Sequence, residues 1–406
     1  MDQIDRSYGS RARSGWGQAP GSRAAGLWSM VPVLAGLILM TGCGSAAEPT
    51  YYTAADYEAV PKFNAHVHLY ENHTTFIEQA VAHNFSLLNF ISSSPGRTET
   101  MPIEVQEEIT LEKISRWPDH IFMATTIRDP YSFNEPDWVE ETIAHLEQAF
   151  EKGAVAVKIR KSIGMEVRRP DGSFVTIDDP KFDPVLDFIS DNDITLIGHI
   201  GEPKNCWLPL EEMTVGGDRQ YYSENPQYHM YLHPEYLAHE DHIRAVENML
   251  EKHPDLRYVG AHLASLEYDV DELAKRLERF PNMAVDMAER ISHFQYQAVE
   301  NREKVRDFLI RYQDRLIYAT DESSWGPKPH FGAELTDQTQ RTPAQIAGSA
   351  EENWKRHWKF FTSGEVMTAP KLPDMEFRGL ELPREVIDKI YFRNAERWFP
   401  GIVDGN

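Results

Sequence analysis

Two histidines spaced as His66-Val-His68 end an apolar run that begins at Val60-Pro-Lys-Phe63. On a strand, side chains at i and i+2 share a face, so this pair can grip one metal ion. Other polar residues also end apolar runs. They are Lys158 and Arg160 in Val155-Ala-Val-Lys-Ile-Arg160, His199 in Ile194-Thr-Leu-Ile-Gly-His199, His262 in Tyr258-Val-Gly-Ala-His262, then Asp286, and Asp321 in Tyr318-Ala-Thr-Asp321. A buried polar group without a partner is costly. Several converging on one spot need a shared partner, and a divalent cation satisfies them together. His66, His68, His199 and Asp321 are the candidate ligands.

Those residues need a frame that brings strand ends together. Apolar, β-rich runs fall at 62–69, 86–92, 121–127, 154–160, 194–200, 257–263, 283–287 and 316–320. Helical periodicity fills the gaps at 74–83, 104–116, 137–152, 182–190, 238–252, 270–279, 300–313 and 347–362. Eight strand–helix units predict an α/β fold, a closed (β/α)8 TIM barrel in a single domain over 60–402, with its functional residues at the C-terminal strand ends. A doubly wound open sheet is the alternative, but the first strand is not followed by a glycine-rich phosphate loop. Residues 382–399 read as further helix closing the barrel.

Composition narrows the function. The chain has 406 residues, 41% of them hydrophobic and 11% aromatic, enough for a substantial core. Its net charge of −23 argues against a nucleic-acid partner, which requires a basic footprint. Residues 1–26 carry Arg6, Arg11, Arg13 and Arg23, and an apolar stretch follows at 27–40. This is the pattern of a secretory signal, too short and interrupted for a good membrane span. Met40-Thr-Gly-Cys43 resembles a bacterial lipoprotein cleavage box. By that resemblance residues 1–42 are removed, Cys43 carries a lipid anchor, 43–59 is a tether, and the protein is exported and membrane-anchored at the periplasm or cell surface. Cys206, the only other cysteine, is then a lone thiol.

The order His-x-His, Lys, His, His, Asp on strands 1, 4, 5, 6 and 8 resembles the amidohydrolase superfamily. The short first motif, Gly-His199, Gly-Ala-His262 and the terminal Arg393-Asn-Ala-Glu-Arg are most similar to its amidohydrolase-related branch. The resemblance implies a metal-dependent enzyme over roughly 60–400. One divalent ion, zinc first with manganese or iron as substitutes, would sit on His66, His68, His199 and Asp321 with one position open to water. Asp321 would take the proton of that water, and His262 would polarise the substrate or shuttle a proton. Asp286 is a candidate partner for a ligating histidine or for substrate. In binuclear relatives the strand-4 lysine is carboxylated and bridges two ions; the mononuclear arrangement is the expectation, with Lys158 and Arg160 as cations for an anionic substrate. Strand 8 reads Ala319-Thr-Asp321-Glu-Ser-Ser where many relatives have a glycine before the aspartate and a proline soon after it.

Two long insertions supply specificity. Residues 202–237 contain Trp207, Tyr221, Tyr222, Tyr228 and Tyr231, and 322–346 contain Trp325 and His330. Aromatic loops over a barrel mouth suggest a lid that stacks a small-molecule substrate, with Trp207 foremost, or else a homo-oligomer contact. Residues 165–177 read as a hairpin. The histidines of the helices, such as His239 and His242, are expected on solvated faces. The expected activity is hydrolysis of an ester, lactone or amide. The rival is a metal-dependent decarboxylase of an aromatic or unsaturated acid.

Overall fold

The computed structural model describes residues 50–69, 73–93, 101–324 and 341–402. The expected signal, Cys43, Trp325 and His330 lie outside them. Among the described residues no helix is long and apolar enough to cross a membrane.

Eight parallel strands form in sequence order, each hydrogen-bonded to the next. They are β1 (Lys62–His68), β2 (Phe85–Phe90), β3 (Ile121–Thr126), β4 (Ala154–Ile159), β5 (Thr195–Gly198), β6 (Tyr258–Gly260), β7 (Met283–Asp286) and β8 (Leu316–Ile317). The last strand is interrupted, and its continuation β9 (Glu322–Ser323) pairs in parallel with Val67 and His68 of β1. The ring is closed by the Ala65 N–H on the Tyr318 carbonyl at 3.0 Å and the Asp321 N–H on the His66 carbonyl at 2.9 Å. This is the expected (β/α)8 barrel.

Helices cover the outside for reasons visible in their sequences. Trp138–Glu151 buries Trp138, Thr142, Leu146 and Ala149, a stripe at helical spacing, and stops at Gly153 with φ of +93°. Val270–Arg279 is capped by Asp269, whose side chain accepts the Asp271 N–H. Pro343–Thr362 opens with proline and a Thr342–Gln345 capping box. Ile291–Arg311 begins well before the expected position 300, because two helical pieces join across a kink at Asn301. A two-stranded antiparallel hairpin, β10 (Val366–Ala369) and β11 (Leu372–Arg378), has no counterpart in the sequence reading.

Strand alternation sorts the core into two layers. Leu88, Phe90, Ala124, Ala156, Ile197, Val259, Ala284 and Ile317 fill the barrel interior. Val67, Leu87, Val157, Leu196, Tyr258, Val285 and Leu316 face the helices. That parity decides which polar residues reach the mouth.

Candidate metal centre at the barrel mouth

Lys158 shares the parity of Ala156, His199 that of Ile197, and Asp286 that of Ala284, so all three project inward. On β1 the register shifts between Asn64 and Val67, and Val67 faces outward. His66 and His68 flank it and so face the interior.

His262 breaks the rule. It lies on the outward parity of Tyr258 and Gly260, yet its ring centroid is 4.8 Å from that of His66 and 4.1 Å from that of His199. The cause is a left-handed turn. His262, Leu263, Ala264 and Ser265 have φ of 57°, 58°, 56° and 57°. Each such residue costs roughly 1–2 kcal/mol, so the turn needs compensation. The His262 N–H donates to Asp286 Oδ1 at 2.8 Å, and the Ser265 hydroxyl donates to the Ile200 carbonyl at 2.9 Å. Gly260 is required beneath the turn, since a Cβ there would lie 2.5 Å from that of Ala264. Asp321 is also left-handed, with φ of 59°.

The hydrogen bonds set the tautomers. His66 Nδ1 lies 3.0 Å from Asp286 Oδ2, so it carries the proton and Nε2 offers a lone pair. That Nε2 lies 3.3 Å from Asp321 Oδ1, and His68 Nε2 lies 3.1 Å from the same oxygen. His66 Nε2, an acceptor facing a carboxylate oxygen at this distance, needs a cation between them. His262 Nδ1 is 2.9 Å from the Ala288 carbonyl, and its buried Nε2 has no hydrogen-bond partner. His66, His68 and Asp321 therefore form one group able to hold an ion; His66, His262 and Asp286 form a second. The residues present fit a divalent metal. His199 stands beside His262 and outside both groups.

Electrostatics agree with a site built for a guest. Burial, then His262 and Lys158, hold His199 far below the usual imidazole range. Burial, then His66, does the same to His262. Both rings are neutral, as ligands must be. Burial raises Asp286. Lys158 is buried, its Nζ lacks any hydrogen-bond partner, and it lies 4.5 Å above the Phe90 ring. Burial pushes its ammonium down to about 8. Arg160 follows β4, where its charge is felt by Lys158 and by Tyr131, which hydrogen-bonds Glu166.

The insertion after β5 carries its own core of Cys206, Met213, Tyr222 and Met230. Trp207 is used there: its indole N–H donates to the Leu237 carbonyl at 3.1 Å, and its ring packs 5.3 Å from His239 and 5.6 Å from His242. The Cys206 thiol donates to the Tyr228 carbonyl at 3.1 Å, and burial pushes it up to about 12, which makes it inert. His239 and His242 are both 1% exposed, a correction to the solvated faces expected of them; each packs on the Trp207 ring. The expected hairpin at 165–177 appears as the Arg168–Phe174 antiparallel bridge.

A closed (β/α)8 barrel with histidines and carboxylates gathered at its C-terminal mouth defines a metal-dependent enzyme of the amidohydrolase type. Residues 130–401 match the profile of the Amidohydro_2 family, described as amidohydrolase, and the chain belongs to that family. The match begins after β1, so the His66–His68 pair rests on the geometry above. Among solved structures the chain is similar to a 2,6-dihydroxybenzoate decarboxylase (14% identity, 84% of this chain and 99% of that one, TM-score 0.48). It is also similar to a dihydroxybenzoic acid decarboxylase from Polaromonas sp. JS666 solved with manganese and 2-nitroresorcinol (13%, 84% and 97%, 0.47). A third is 4-oxalomesaconate hydratase from Rhodopseudomonas palustris (11%, 84% and 96%, 0.42). No curated protein matches the sequence.

Proposed function

We propose that this amidohydrolase-family chain is a divalent-metal-dependent lyase that releases carbon dioxide from a small aromatic or unsaturated carboxylic acid. The observation that carries the reading is Lys158, a buried ammonium with no hydrogen-bond partner among the described residues, set over an aromatic ring at the mouth. A neutral ester or amide leaves that charge uncompensated; a carboxylate pairs with it.

In this reading His66, His68 and Asp321 hold the ion, with His199 and His262 adjoining. When bound, the ion supplies positive charge that draws substrate oxygens and steadies the charge developing as the carbon–carbon bond breaks. Lys158 orients the acid. The carbon that loses carbon dioxide takes up one proton, so the acid anion plus a proton becomes the reduced-carbon product plus carbon dioxide. Asp321 faces His66 and His68 through Oδ1 on the side of the ion, and its carboxylate would hold and deliver that proton through its second oxygen.

Hydrolysis is the second reading, favoured by the same Asp321 carboxylate, which is equally placed to take a proton from water. The test is product analysis of the metal-loaded protein on a panel of aromatic acids and their esters. Carbon dioxide stoichiometric with acid consumed supports the lyase; alcohol release with no carbon dioxide overturns it. We also propose that Cys43 anchors the chain, tested by the mass of the mature N-terminus and by release of Cys43→Ser from membranes.

A further inference from the structure

Arg290 went unremarked in the sequence, where it sits four residues beyond Asp286. Its backbone N–H is fixed on the Met287 carbonyl at 3.0 Å, at the head of Ile291–Arg311. Its guanidinium makes no hydrogen bond or ion pair with any described residue, and its Nε is buried without a partner. The carboxylates whose charge it feels, Asp218, Glu267 and Glu202, hold it in the charged form. None of them occupies its donors. Asp218 accepts a hydrogen bond from Asn205 Nδ2 at 2.9 Å and lies 3.1 Å from His293 Nε2. Glu267 takes the Lys204 N–H at 2.7 Å, and its other oxygen has no partner. The adjoining Glu289 is paired with Lys371.

The charge of Arg290 is felt at His262, and that of Lys158 at His199. Those two rings stand 4.1 Å apart. The His262 ring is fixed on the Ala288 carbonyl at 2.9 Å, two residues before Arg290, and stands 4.8 Å from His66, whose ring lies 4.2 Å from the Phe90 ring that Lys158 covers. The loop after β7 and the end of β4 thus bring two cations with open donors to the same group of rings. A single carboxylate can answer Lys158. The planar fork of Arg290 is shaped for a second oxyanion held by two parallel hydrogen bonds.

We propose that Arg290 is a specificity residue that binds a second carboxylate, so that the substrate is a dicarboxylic acid. This rests on the reading of the mouth as a carboxylic-acid site, though not on which bond is broken there.

The test is calorimetric titration of the full-length, metal-loaded protein with phthalate, isophthalate and terephthalate, and with benzoate as the single-charge control. The expected result is that at least one diacid binds the unsubstituted protein at least ~10-fold more tightly than benzoate, as a charged hydrogen-bonded pair implies. In Arg290→Met that preference disappears while benzoate affinity and metal content stay the same. If Arg290→Met does not fold, Arg290→Lys carries the test, with a reduced preference expected because the fork is lost. A diacid preference that is absent in the unsubstituted protein, or that survives in the variants, overturns the inference. Diacid preference lost in Arg290→Met, with no carbon dioxide from any acid, leaves this inference standing and removes the lyase.

Discussion

Two buried lysines stand at opposite ends of the same barrel. Lys62 opens β1 at the N-terminal end, 1% exposed, and Lys158 lies near the end of β4 at the C-terminal mouth, 5% exposed. Burial pushes both down to about 8. Both lie over aromatic rings, Lys62 at 4.5 Å from Tyr57 and Lys158 at 4.5 Å from Phe90. Their partners differ. Lys62 Nζ donates to the Tyr57 carbonyl at 2.5 Å and the Val60 carbonyl at 2.7 Å, whereas Lys158 Nζ donates to nothing described. The fold has completed one cation and left the other open. One end of the barrel is finished by folding alone, and the other is finished by a ligand.

The comparison is most strongly tested by removing the proton carrier at the open end. Asp321→Asn should lower turnover by roughly 10²–10⁴-fold, measured as product formation at saturating metal, with the melting temperature little changed. Next in size is the lysine pair. Lys62→Met should cost about 1–3 kcal/mol in denaturant unfolding, because two buried carbonyls lose their donor, and should leave anion affinity alone. Lys158→Met should do the reverse: anion affinity falls roughly 10–100-fold, and stability holds or rises as an uncompensated buried charge is removed. Equal effects of the two substitutions on stability would erase the distinction. Asp286→Asn should weaken metal binding by about 10–100-fold, since it loosens the grip on His66 Nδ1; competition with a chelating dye reads this.

The smallest effect is on pH dependence. A lysine lowered to about 8 loses its proton above that pH. Anion affinity should therefore fall by about tenfold per unit as pH rises above about 8, and this limb should vanish in Lys158→Met. The sign for stability is opposite to that of a salt-bridged group. The charged form is penalised in the fold, so the penalty is full below about 8 and fades as pH rises toward the unfolded lysine value of about 10.4.

Most of the frame was legible because strand and helix periods differ and each of the eight units repeats the difference. Lys158, His199, His262 and Asp286 were read at the mouth from their places at strand ends, and alternation turns Lys158, His199 and Asp286 inward. For His262 alternation fails: its parity on β6 points it at the helices, and only the left-handed turn brings it to the mouth expected of it. No residue in Ala261-His-Leu-Ala-Ser265 signals that conformation, because none is glycine or asparagine. Its one trace is Gly260, needed for space rather than for φ. Hairpin β10–β11 was hidden by its composition, with Pro370 and Pro373 around its tip and an exposed Val366. Trp207 was read as a substrate platform from its type and loop, and the contacts described for it are to Leu237 and to His239 and His242 of the following helix. Arg290 escaped notice because it lies past its strand end, where alternation no longer assigns a direction.

The left-handed turn at 262–265 is held by Asp286, twenty-four residues further along. A nascent chain that has emerged only through β6 has nothing to hold that turn, and its histidine relaxes toward the ordinary right-handed basin. His262 is therefore aimed only once β7 has docked, and His66 receives its carboxylate partner in the same event. On the proposed reading the ion-holding group, with Asp286 behind His66 and Asp321 beyond β8, would be complete only when the ring is nearly closed, and an unfinished barrel would be a poor trap for stray ions.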